Sequence, residues 1–213
     1  MEWYQYLALG TLAYCFIAFM FHFVRALVLG KPKDKSRKSG SVSKGVLYAN
    51  TIAMMPANKE TAYLHLPTYA TGIVFHLGIF LSLLLFVLLL FPSVFQWMIA
   101  FPTLPAVLAG CLSLSTLAGL ILFVKRLCKK ELRVLSHGDD FVSNLSTTLF
   151  QAATLVFLCF LGGSPEVATV YYVVCAWLFF YLPLGKLRHV FYYFSARYHL
   201  GFFYGWRNVW PQK

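Results

Sequence analysis

Residues 181–189 read Tyr-Leu-Pro-Leu-Gly-Lys-Leu-Arg-His and close the last apolar run of this chain. From Val167 up to this stretch, nearly every side chain is apolar or aromatic. The stretch itself adds two cations and a histidine, and a tail rich in tyrosine follows. Pro183 removes a helical hydrogen bond, so the sequence predicts that the helix can be redirected here. The change in composition indicates a boundary between hydrocarbon and water.

The whole composition is that of a membrane protein. Of 213 residues, 60% are apolar, 18% are aromatic and only 12% are charged. A soluble domain has too little interior for so many apolar side chains, so a soluble protein is excluded. Several apolar runs reach the roughly 20 residues that cross a bilayer core of about 30 Å. The apolar residues in these runs are consecutive, whereas a strand of a membrane β-barrel would alternate apolar and polar residues. We therefore predict an all-α integral membrane protein.

The apolar runs predict five spans in a single membrane domain covering residues 1–213. The predicted spans are about 4–29, 69–91, 103–124, 141–161 and 167–188. A basic loop rich in Gly and Ser follows the first span up to Gly45, and we expect it to be solvated and partly mobile. Residues 189–213 form a basic, aromatic tail that is predicted either to lie in the membrane interface or to dock a partner subunit.

The distribution of charge predicts the orientation of these spans. The formal net charge of +11 would indicate a nucleic-acid partner in a soluble chain, but here the positive-inside rule accounts for it. On alternating spans, all 18 Lys and Arg residues fall on one side or at the span ends that face it. We therefore predict an outer amino terminus, a cytoplasmic carboxyl tail and no nucleic-acid partner.

Histidines within membrane spans are costly, and by default they mark function. His76 is predicted inside the second span and His189 at the end of the fifth. Because these spans run in opposite directions, both histidines lie toward the cytoplasmic face, as two axial ligands of one haem iron would. The alternatives are a hydrogen bond to a neighbouring helix for His76 and a simple interfacial position for His189. His22 and His65 are rival ligands, whereas His137 and His199 are predicted to be solvated.

Three short motifs carry a resemblance to a known family. They are Phe-His-Leu-Gly-Ile at 75–79, a basic run followed by Gly138-Asp139 before the fourth span, and Leu-x-His at 187–189. With five spans and an outer amino terminus, the chain resembles the cytochrome b family of the respiratory nitrate reductase gamma subunit. The membrane subunits of heterodisulfide-reductase-like and DsrM-like complexes share this pattern.

The resemblance implies a cofactor, a substrate and partners. The nitrate reductase subunit carries two haems b, each with ligands from the second and fifth helices, and His76 and His189 match the cytoplasmic pair. The other pair falls on Phe86 and Tyr171, so one haem b is expected. The resemblance further implies a prokaryotic cytoplasmic (inner) membrane, electron exchange with membrane (mena)quinone, and cytoplasmic iron–sulfur, flavin or molybdenum oxidoreductase subunits as partners.

The remaining site assignments leave alternatives open. Arg133, Lys186 and Arg188 are expected at the haem propionates, although contact with lipid headgroups explains each of them equally well. His22 and Tyr171 are guesses for quinone contacts. The rival function is a haem-free membrane anchor or assembly subunit that tethers a soluble oxidoreductase. A small transporter is disfavoured because no Asp, Glu or Lys is predicted inside a span.

Overall fold

The computed structural model describes residues 2–29, 35–58, 62–161 and 163–211. Residues 30–34 of the predicted basic loop and residues 212–213 of the tail lie outside these ranges. Within the described ranges the chain forms helices, short 3-10 turns and connecting turns, without a β-strand. The helices are α1 (Trp3–Val28), α2 (Val42–Asn50), α3 (Leu66–Leu89), α4 (Pro92–Ala100), α5 (Thr103–Cys128), α6 (Lys130–Val134), α7 (Gly138–Cys159), α8 (Pro165–Tyr181) and α9 (His189–Trp206).

Four of the described helices are long and apolar enough to cross a membrane. The membrane-length segments are Trp3–Ala26, Tyr63–Leu89, Thr103–Cys128 and Gly138–Cys159. A fifth is present if the broken pair α8 and α9 is counted as one span. At about 1.5 Å per residue, the 24 residues of α3 extend about 36 Å, which exceeds the bilayer core. The predicted all-helical architecture is confirmed, and the described helices long enough to cross a membrane number four, or five with the broken pair, where the sequence predicted five.

The fifth predicted span is not one continuous helix to residue 188. Helix α8 ends at Tyr181. Pro183 comes two residues later and has no backbone N–H to donate to the preceding turn, so the helix does not continue. The chain turns instead, with the amides of Leu184 and Gly185 donating to the Tyr181 carbonyl over 3.0 and 3.1 Å. A new helix, α9, begins at His189. The predicted span is therefore broken, and the break lies in the stretch where Pro183 indicated that the helix could be redirected.

The chain divides into two compact units. The first unit contains residues 1–16 and 67–186, and the second contains residues 17–66 and 187–213. In the first unit, α5 packs on α7 and α7 packs on α8. The amino-terminal half of α1 lies against α8 through two stacked ring pairs, Tyr4 with Tyr172 at 5.6 Å and Tyr14 with Phe180 at 5.5 Å.

The second unit is built on the contact between α2 and α9. A Cβ added at Gly201 would lie 2.5 Å from the Cα of Val46 and 2.8 Å from the carbonyl oxygen of Gly45. Glycines at such a crossing let two helix backbones touch, so the short helix α2 packs closely on α9. Our prediction of a solvated loop up to Gly45 was therefore wrong from Val42 onward, where α2 begins and Gly45 is buried, whereas residues 35–39 are exposed and non-helical as predicted.

We expect Gly201→Ala to separate α2 from α9. The new methyl group meets backbone atoms of Gly45 and Val46 in α2, and overpacking of this kind costs about 1–3 kcal/mol. Cleavage by trypsin after Lys44, which lies in α2, requires that helix to open and should become about tenfold faster or more. Gly110→Ala is the matched control, because an added Cβ there meets nothing within 4 Å. Equal cleavage rates in both variants would contradict this account of the crossing.

Candidate functional site

His76 lies in the middle of α3, ten residues after its first residue, Leu66, or about 15 Å along the helix. Its side chain is exposed, whereas the neighbouring Phe75 and Gly78 are buried. The ring Nδ1 is 2.7 Å from the carbonyl oxygen of Gly72, one turn earlier. A carbonyl only accepts, so Nδ1 carries the hydrogen in this contact, and the lone pair of the neutral ring is then on Nε2. This is the tautomer of a metal-ligating imidazole whose second nitrogen is anchored by the backbone.

The buried face of α3 beside His76 is held by a polar junction with α5 and α7. Gln151 is fully buried, and its Nε2 donates to the Phe75 carbonyl over 3.4 Å. The Ser115 hydroxyl donates to Oε1 of Gln151 over 2.5 Å. A side chain at Gly78 would collide with both Ser115 and Gln151. The junction therefore sets the rotation of α3 and leaves His76 on the face that points away from α5 and α7.

The positions that the resemblance assigns to a second ligand pair lie in an aromatic cluster of the first unit. Phe86 and Tyr171 are each 1% exposed. Tyr171 stacks on Phe157 with ring centres 4.4 Å apart, and Phe86 meets Phe179 edge-on at 4.8 Å. This cluster fills the space around Tyr171, the residue that was guessed as a quinone contact.

His22 belongs to the second unit, where it meets α9. Its Nδ1 is 3.2 Å from the hydroxyl oxygen of Tyr192, and the two rings are edge-on at 5.8 Å. Phe191 stacks on Phe19 at 6.1 Å and meets Phe23 edge-on at 6.2 Å. These contacts hold the start of α9 against the last turns of α1.

His189 is the first residue of α9 and is exposed, as is Arg188 before it. His76 belongs to the first unit and His189 to the second, so the surroundings of each candidate ligand are described separately. His65 ends a 3-10 turn just before α3 and is exposed. Arg133 is exposed in the short helix α6.

Lys186 takes part in an ion cluster that the sequence did not reveal. Asp140 is only 7% exposed and pairs with Lys186 and with Arg126, whose Nη1 lies 3.1 Å from the carboxylate. The other carboxylate oxygen accepts the amide of His137 over 3.0 Å and caps α7. The sequence assigned Asp140 to the amino-terminal turn of this helix, where a carboxylate is favoured. The long-range partners carried no sequence signal.

The exposed imidazoles and the cations at the polar ends of these helices are the chain's candidate functional groups. A scan of protein-family models, a search of curated proteins and a search of solved structures each found no match to this chain.

Proposed function

We propose that this protein is a haem b membrane subunit of a prokaryotic respiratory redox complex. It transfers electrons between membrane (mena)quinone and a cytoplasmic iron–sulfur, flavin or molybdenum oxidoreductase subunit. The observation that carries the proposal is His76, an imidazole inside a membrane-length helix whose Nδ1 is bonded to Gly72 and whose Nε2 keeps its lone pair. An imidazole within the apolar part of a membrane span is costly unless each of its nitrogens has a bonding partner.

In this proposal His76 and His189 bind the haem iron, and nearby cations bind the propionates. Haem b held by two imidazoles has no open coordination position, which suits it to one-electron transfer. Because Lys186 already pairs with Asp140, Arg133 and Arg188 are the cations that we assign first to the propionates. His22, bonded to Tyr192, is the first rival for the ligand position of His76 and the first candidate for a quinone contact.

The proposed topology has five spans, with α8 and the start of α9 forming the fifth. The amino terminus lies outside, and the basic connections and the tail lie in the cytoplasm, as the positive-inside rule requires. The proposed location is therefore the cytoplasmic (inner) membrane, with both candidate ligands toward its cytoplasmic side.

The second candidate function is a haem-free anchor that tethers a soluble oxidoreductase. One observation favours it, because the junction of Gly78, Ser115 and Gln151 closes the interior beside His76. In an anchor, the exposed face of α3 that carries His76 would contact lipid or the partner subunit.

A reduced-minus-oxidised spectrum of the purified protein separates the two functions. We expect b-type bands and one haem per chain, measured against the protein concentration. Absence of the bands after expression with an adequate supply of haem would leave the anchor as the function. A ratio of two would show that Phe86 and Tyr171 do not mark a lost site, and that a further histidine pair is in use.

A further inference from the structure

Helix α9 has one face that the described residues leave exposed. Gly201 and Gly205 lie on the face that meets α2, where an added Cβ would be 2.5 and 2.8 Å from backbone atoms of α2 or its cap. Phe191 lies on the side that meets α1. A third side carries exposed residues three or four positions apart, so they form one row along the helix. We call this row the outer stripe, and its members are Tyr193, Ala196, Leu200 and Phe203.

The first turn of α9 lies beside the membrane-length part of α1. Phe191 stacks on Phe19 at 6.1 Å and meets Phe23 edge-on at 6.2 Å. From Trp3 to Val28, Arg25 is the only charged residue of α1. Phe19 precedes Arg25 by six residues, or about 9 Å along the helix. Because Arg25 is the side chain of α1 that needs headgroups or water, α9 begins at or below the level of the lipid headgroups.

The exposed surface around this contact is apolar. On the turns of α1 beside Phe191, the large exposed apolar residues are Ile17, Met20, Phe21 and Val24. On the first turns of α9, Val190 and Phe194 are 46% and 61% exposed. Exposed apolar side chains on a membrane-length helix face lipid. Tyr193 lies next to Val190 and Phe194 on α9, so the outer stripe continues a surface that faces lipid.

A cation lies at the other end of the outer stripe. Arg207 follows α9, and its guanidinium carbon is 3.7 Å from the centre of the Phe203 ring. Its Nη1 donates to the Phe203 carbonyl over 3.1 Å, which holds the side chain beside the stripe. The described part of the second unit contains eight Lys and Arg residues and no Asp or Glu. An apolar and aromatic stripe on a basic helix is typical of a helix that lies in the membrane interface.

We propose that α9 lies in the membrane interface on the side where α1 ends, with the outer stripe against the acyl chains and Arg207 at the phosphate of an anionic phospholipid. Helix α2 packs on another face of α9 and is turned toward water. Lipid is the occupant rather than a soluble protein, because α9 begins at the depth of Phe19 and Phe23, where lipid surrounds α1. The proposal does not depend on haem, since a haem-free anchor would hold α9 in the same way.

The first test maps the contacts of the unaltered protein in nanodiscs. A phosphatidylcholine with a diazirine on its acyl chain labels side chains that touch the chains, and hydroxyl radicals generated in the water label those that touch water. We expect diazirine adducts on Leu200 and Phe203. We expect radical oxidation of Leu47, which is 65% exposed on α2. Leu200 is the same residue type, 40% exposed in the protein alone, and should show no oxidation above background.

The second test removes the apolar contact. With Leu200→Ser and Phe203→Ser introduced together, the amides of α9 should exchange with solvent about tenfold faster or more in nanodiscs, because the helix loses apolar burial in lipid. Leu47→Ser is the matched control, since it removes an exposed leucine from the face that is turned toward water. It should leave the exchange of α9 unchanged. All three substitutions are at exposed positions, so circular dichroism should show the helix content of the wild type in both proteins.

The third test concerns the charge of the lipid. Amide exchange in α9 should be about fivefold slower in nanodiscs that contain phosphatidylglycerol than in nanodiscs of phosphatidylcholine alone, because one cation contacts an anionic headgroup. Arg207→Gln should abolish this difference between the two lipids. Arg37→Gln is the control, because it removes an exposed charge that lies before α2 and should keep the difference.

Four results would overturn the proposal. Oxidation of Leu200 as fast as that of Leu47, without diazirine adducts, would make the outer stripe a docking surface for a soluble protein. Diazirine adducts on α2 as well as α9 would show that both helices are embedded in lipid. Unchanged exchange of α9 in the double serine variant would exclude the apolar contact, and equal exchange of the wild type in both lipids would exclude the anionic headgroup. A spectrum without b-type bands would instead remove the proposed function and leave these results unchanged.

Discussion

The variant His76→Ala should show no b-type bands in its reduced-minus-oxidised spectrum. Alanine removes the Nε2 lone pair that is proposed to bind iron and leaves one axial position without a protein ligand. His189→Ala removes the other proposed ligand and should have the same result. In both variants the measurement is haem per purified chain together with the low-spin spectrum.

The exposure of His76 makes this experiment interpretable. Because the side chain lies outside the packed face of α3, its loss should leave the junction of Gly78, Ser115 and Gln151 intact. Circular dichroism and gel filtration should therefore match the wild type. His137→Ala is the control, since His137 is exposed before α7 and its backbone amide makes the contact with Asp140. A normal low-spin spectrum in His76→Ala would remove His76 from the ligands, and His22→Ala and His65→Ala would then identify the replacement.

The variant Asp140→Asn should destabilise the first unit by about 2 kcal/mol. The substitution leaves Arg126 and Lys186 facing each other without the carboxylate that separates them. The cations that remain are 33% and 58% exposed and stay hydrated, so the loss falls below the about 3–5 kcal/mol of a fully buried pair. The negative charge at the amino terminus of α7 is lost as well. Thermal unfolding in detergent measures the effect, and Glu131→Gln, which neutralises an exposed acid nearby, should change stability little.

A second substitution distinguishes charge repulsion from a packing defect. If repulsion between the two cations causes the loss, Lys186→Met introduced into Asp140→Asn should recover part of the stability. The same Lys186→Met substitution in the wild-type background should be destabilising, because Asp140 then loses a partner. Purely additive effects of the two substitutions would contradict the ion cluster as the cause.

The membrane-length helices were predictable because hydrocarbon imposes a simple requirement on sequence. Every backbone polar group in the bilayer core must be hydrogen-bonded within its own helix. A long, continuous apolar run therefore forms a helix. The break near Pro183 was predictable for a similar local reason, since a missing N–H interrupts the hydrogen bonds of a helix wherever it occurs. The extent of the break was not predictable, because the turn that follows closes on Tyr181 and the next helix starts only at His189.

The α2 helix was missed because its stability does not come from its own composition. Residues 35–45 are polar, with four serines, four cations and two glycines, a pattern typical of solvated loops. Helix α2 forms because Gly45 and Gly201 allow it to lie close to α9, which follows more than 150 residues later in the chain. No local pattern encodes a contact between two glycines, since each one alone is equally consistent with a turn.

By itself, the sequence determined the class of the protein, the positions of its long helices and the break at Pro183, since these depend on solvation and backbone hydrogen bonding along a single segment. Only the tertiary structure decided that His76 faces outward, that Asp140 pairs with Arg126 and Lys186, and that Nε and Nη2 of Arg197 are buried without a hydrogen-bond partner among the described residues. These three outcomes depend on the rotation of one helix against another, and that rotation is set by packing of small residues such as Gly78 and Gly201 against distant backbones and side chains.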